Sequence, residues 1–76
     1  MPTFVQLLNF TSVNGRFNED IDTVKVNTTL AHLQSEGARI LDIKTAIAAK
    51  DVTERSSEPI IAFKTVTIVY EAPEPI

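Results

Sequence analysis

The chain has 76 residues, a formal net charge of −3 and no Cys. Disulfides and thiolate-held zinc are therefore excluded, and a lone His32 makes a His-based metal site a poor expectation. The seven basic residues (Arg16, Lys25, Arg39, Lys44, Lys50, Arg55, Lys64) are scattered rather than clustered, which argues against a nucleic-acid partner.

Thr3–Phe10 reads as a strand. Phe4, Leu8 and Phe10 alternate on one side, Val5 and Leu7 on the other, with Gln6 the one polar interruption. A strand apolar on both sides suits a central place in a sheet. The connector Thr11–Asp20 contains Asn14-Gly15, a turn dipeptide because both residues tolerate positive φ. Glu19–Lys25 fits less well. At 100° per residue, Ile21 and Val24 point away from the stripe of Val26, Leu30 and Leu33. One straight helix from Asn18 to Glu36 exposes them, so a bent helix or a turn leading into a second helix is expected. The helix proper is predicted over Asn27–Glu36, with Asn27 as N-cap, Val26 stapled to Ala31, and Gly37 as the left-handed residue after its end.

A second strand, Arg39–Ala49, places Leu41, Ile43 and Ile47 on one side and Asp42 and Lys44 on the other. A polar connector, Lys50–Pro59, precedes a third strand at Ile60–Glu71. Pro59 lacks a backbone donor and suits a strand start. The expected fold is a small single α+β domain over residues 1–71, in β-α-β-β order. It has a three-stranded mixed or antiparallel sheet with one helix packed on one face, and residues 72–76 form a flexible C-terminal tail. The last two strands form an antiparallel hairpin, and the first can lie parallel to a neighbour across the helical crossover.

The third strand is apolar on both faces, and such a strand has to be covered twice. One register of the hairpin pairs Leu41, Ile43 and Ile47 with Val66, Ile68 and Ala62. A slip by one residue turns Val66, Ile68 and Tyr70 outward instead. Either way large apolar side chains remain on the second face, and an exposed face of that kind marks an interface. The candidate contact residues are Phe63, Val66, Ile68 and Tyr70.

Few residues suggest chemistry. His32 is a boundary residue of the helix before it is a general acid or base. The serines Ser12, Ser35, Ser56 and Ser57 have no nucleophile-elbow context. Glu19, Asp20 and Asp22 lack calcium-loop spacing and favour a helix start through the macrodipole. Asp42 and Lys44, with Lys64 near them, read as a solvated face that discourages edge pairing. Phe4, Phe10, Phe63 and Tyr70 suit core packing better than base stacking, because Glu71 and Glu74 flank the tyrosine. No catalytic, cofactor-binding or metal-binding residue is assigned.

The run Ile40-Leu41-Asp42-Ile43-Lys44 and the closing Ile68-Val69-Tyr70-Glu71, set after a short strand and an acidic helical stretch, resemble the Cse60-like family of small sporulation-associated proteins of Firmicutes. The resemblance implies a small cytosolic bacterial protein and supplies no catalytic residues. The residues themselves lead to the expectation of a non-enzymatic interaction module, self-associating as a homo-oligomer or binding a protein partner through a sheet face. Neither nucleic acid nor membrane is an expected partner, no cofactor is required, and the expected location is cytoplasmic. The alternative is a small-molecule or nucleotide-binding domain that uses the sheet and the 50–59 loop.

Overall fold

The computed structural model describes residues 1–12, 16–50 and 61–76. The Asn14-Gly15 turn and most of the Lys50–Pro59 connector, with the ligand-binding role considered for it, lie outside the described residues. Four elements follow in order: β1 (Thr3–Thr11), α1 (Glu19–Ser35), β2 (Arg39–Lys50) and β3 (Ile61–Glu71). The domain is α+β, as its pattern of elements predicts, with an open three-stranded sheet and one helix.

The strands lie in the order β1-β3-β2, and β3 is antiparallel to both neighbours. Two expectations are corrected here. The central strand is β3, not β1, and no two hydrogen-bonded neighbours are parallel. β1 and β2 do run in the same direction, as a helical crossover requires, but β3 is inserted between them. The β1–β3 pairing is prolonged past both ends of β1. Beyond Thr11, the N–H of Ser12 donates to the carbonyl of Ala62, and Ser12 Oγ accepts from the N–H of Ala62. At the other end the N–H of Ala72 donates to the carbonyl of Pro2.

α1 is one continuous helix that starts eight residues before Asn27, so the turn leading into a second helix is not what forms. Asn18 is the N-cap, and its side chain accepts from the N–H of Ile21 at 3.2 Å. Glu19, Asp20 and Asp22 occupy the first turn, where carboxylates complement the positive end of the helix dipole. As the angular argument requires of a straight helix, Ile21 and Val24 are exposed. The stripe turned to the sheet is Asp22, Val26, Thr29, Leu30 and Leu33, of which Leu33 is buried and the others half-buried. The helix ends at Gly37, whose φ is 91°. Around it the N–H of Ala38 reaches back to Leu33 O and that of Gly37 to Gln34 O, the Schellman pattern.

The core lies between α1 and one face of the sheet. Phe10, Leu33, Ala38, Val66, Ile68, Tyr70 and Ala72 are buried there, with Phe4, Leu8, Phe17, Val26, Leu30 and Ile40 packed around them. The side chains of β1 divide as alternation predicts: Phe4, Leu8 and Phe10 under the helix, Val5 and Leu7 away from it. The hairpin adopts the first register in outline, since Ile43 stands opposite Ile68. A bulge between Ile40 and Asp42 interrupts the alternation at Leu41. It returns Ile40 to the core face, opposite Tyr70, and Leu41 is left exposed.

Candidate interaction surface

The face of the sheet away from α1 has no covering element among the described residues. It is read directly from the register. Val5 stands opposite Val69, Leu7 opposite Thr67, and Phe63 pairs with Thr11 on one side and Ala48 on the other. Directly opposed residues share a face, so these side chains form one surface. Val5 is 58%, Leu7 53% and Phe63 46% exposed. Asn9 and Thr65 meet on the same face through a 3.0 Å side-chain hydrogen bond. Asp42 and Lys44 complete it on β2, with their charges 3.9 Å apart and both side chains more than half exposed.

The four contact residues expected from the sequence are divided between the two faces. Val66, Ile68 and Tyr70 belong to the core beneath α1, with Ile68 at 0% exposure, and are inaccessible to a partner. Phe63 alone is on the open face. The cause is the periodicity of a strand: residue 63 differs in parity from 66, 68 and 70. Val5 and Leu7 are the surface residues that the focus on the third strand passed over. Their signal was present in the two-sided alternation of β1.

Lys64 is not beside Asp42 and Lys44 but on the opposite face. Its Nζ lies 2.9 Å from Asp22 Oδ2, and the two side chains are only 14% and 13% exposed. The approach falls outside hydrogen-bond directions, so the attraction is Coulombic. The ammonium also sits 4.7 Å from the ring centroid of Phe17 and 5.4 Å from that of Phe10. Two aromatic faces and one carboxylate thus surround a cation that stands in a row of core residues. The arrangement is a structural clasp between the first turn of α1 and β3.

The remaining candidates are dispersed. His32 is exposed in the last turn of α1. Phe4 and Tyr70 pack at 5.8 Å between ring centroids within the core, so they form no stacking platform with Phe63. The Tyr70 hydroxyl accepts from the N–H of Ile76 at 3.1 Å. Among the described residues, no group of three or more His, Cys, Asp and Glu is placed to hold a metal ion. No helix there is long and apolar enough to cross a membrane. No family model, no curated protein and no solved structure matches the chain.

Proposed function

We propose that the chain is a non-enzymatic interaction module that docks another protein through the open face of its sheet, a second copy of the chain being the first candidate. The observation that supports this reading is that Val5, Leu7 and Phe63, each about half exposed or more, share a face that no described element covers. Large apolar side chains grouped on one face are stabilised by removal from water, at roughly 25 cal/mol per Å² buried. Asp42 and Lys44 at the margin give that surface a polar rim, which fits a protein partner better than an apolar ligand.

Sedimentation over a range of concentrations, on the wild type and on Leu7→Lys, tests the proposal. Leu7 is exposed, so the substitution leaves the fold intact. A wild-type mass that rises with concentration, and falls back to the monomer in Leu7→Lys, is the expected result. A wild type that stays monomeric at every concentration removes self-association from the reading. The partner would then have to be a different protein, sought with Leu7→Lys as the non-binding control.

A further inference from the structure

On the open face of the sheet, apolar and charged residues fall in separate columns. Read across the strands, one row is Val5, Val69 and Asp42, and the next is Leu7, Thr67 and Lys44. The β1 side of these rows is apolar and the β2 side is charged. Both rows lie toward the Arg39–Glu71 end of the sheet, away from the end where Lys50 pairs with Ile61. Asp42 and Lys44 are 3.9 Å apart, near the outer limit of an ion pair, and their side chains are 54% and 72% exposed. A pair that long and that exposed adds little to the stability of the fold. Each charge keeps more than half of its surface for a second partner.

Two sheets stack face to face about 10 Å apart, with strand directions within about 30° of each other. In a symmetric pair the twofold axis lies between the sheets and runs either along the strands or across them. An axis along the strands sets β1 of one copy over β2 of the other. Val5 and Leu7 then cover Asp42 and Lys44, and take water from the charges without replacing it. An axis across the strands sets β1 over β1 and β2 over β2. Apolar residues then meet apolar residues, and charges meet charges.

We infer that a second copy docks on this face about an axis across the strands, midway between the Val5–Asp42 row and the Leu7–Lys44 row. The charges select this register. An axis on the Leu7–Lys44 row opposes Lys44 to Lys44. One on the Val5–Asp42 row opposes Asp42 to Asp42 and Lys44 to Arg39. An axis between the Leu7 and Asn9 rows sets Lys44 over Ala46 and Asp42 over Ala48, and pairs no charge. An axis between the Thr3 and Val5 rows brings Arg39 over Asp42, but Glu71 already holds Arg39 at 3.6 Å, and Leu7 is carried past the end of the opposing β1. In the midway register Asp42 faces Lys44 of the second copy, twice by symmetry, and Val5 faces Leu7, also twice. With the pair inside each chain, four charges alternate in sign around the axis, and a network of that kind is worth more than an isolated pair. The two helices lie outermost, on either side of two stacked sheets.

This inference rests on the interaction-module reading and adds to it the residues that fix the orientation of the second copy. Two charge reversals test it by sedimentation. A copy with Asp42→Lys opposes only positive charges to its like, and a copy with Lys44→Glu only negative ones. Each variant alone should need a roughly tenfold or higher concentration to reach the dimer mass of the wild type. In a one-to-one mixture every opposed pair is again unlike, and the dimer mass should return. Recovery in the mixture also shows that neither variant is misfolded. Leu7→Lys should be monomeric by itself and in either mixture. Single variants that keep the wild-type dimer mass, while Leu7→Lys is monomeric, overturn this orientation and leave the face reading standing. Single variants that dissociate and are not rescued by mixing overturn it as well, because the two charges then do not face each other. A wild type that is monomeric at every concentration overturns it together with self-association.

Discussion

Lys64 shows how one residue can hold a helix in place. It occupies a position in β3 whose alternation belongs to the core, with Val66, Ile68 and Tyr70 following on the same face. Asp22 occupies the matching position at the start of the buried stripe of α1. Breaking such a pair leaves one charge poorly solvated, so Asp22→Ala should cost about 2–4 kcal/mol, somewhat below the range for fully buried pairs because both side chains keep some exposure. Replacing both partners, Asp22→Leu with Lys64→Met, should recover most of that loss, because two apolar side chains of similar length can fill the same space. Urea midpoints for the two single variants and the double variant decide it; a double loss equal to the sum of the two single losses would mean the pair makes no contribution as a unit. Ile68→Asp places a carboxylate at a position with no exposure. Its expected cost of several kcal/mol is comparable to the roughly 3–5 kcal/mol a core of this size supplies. Loss of the folded circular dichroism signal in dilute solution is the expected outcome, and a folded monomer would place Ile68 outside the core.

At the scale of elements, α1 is held at its ends and along one narrow stripe. Gly37 adopts a φ of 91° with open space where a Cβ would go. The cost of Gly37→Ala is thus that of the backbone conformation alone, about 1–2 kcal/mol. Asn18→Ala should cost about 1 kcal/mol through loss of the cap. Thermal melts of both variants check these values, and an unchanged midpoint for Gly37→Ala would mean the left-handed turn is not required. Leu33→Ala, in the middle of the core, should cost about 2–5 kcal/mol. Val24→Glu, on the exposed side, should leave stability within about 0.5 kcal/mol. The contrast tests whether the straight helix really turns Ile21 and Val24 to water. A helix with one narrow stripe cannot shield the whole width of a three-stranded sheet, and β2 beyond Ile40 is the part left out.

For the molecule as a whole, one helix and three strands give two layers, with one sheet face under the helix and the other uncovered among the described residues. The two-sided apolarity of β1 and β3 was legible in the amino-acid pattern, and so was the consequence that some apolar surface is left over. Which residues carry it was not. Placing Phe63 with Val66, Ile68 and Tyr70 treated β3 as one surface, although its parity divides them. Placing Ile40 and Leu41 required the bulge, and one extra residue in a strand leaves no mark in a simple alternation of apolar side chains.

The order of elements, the stop of the helix at Gly37, the two faces of β1 and the absence of thiol chemistry could be read from the amino-acid pattern alone. These follow from composition and from interactions within a few residues, such as turn geometry and side-chain periodicity. Long-range packing was needed to place β3 in the centre, to bring Asp22 to Lys64, to set Tyr70 under the helix and to put β2 at the edge of the sheet. Each of these depends on pairing segments far apart in the chain. Alternative registers and strand orders satisfy the local pattern equally well there, and the total surface buried selects among them.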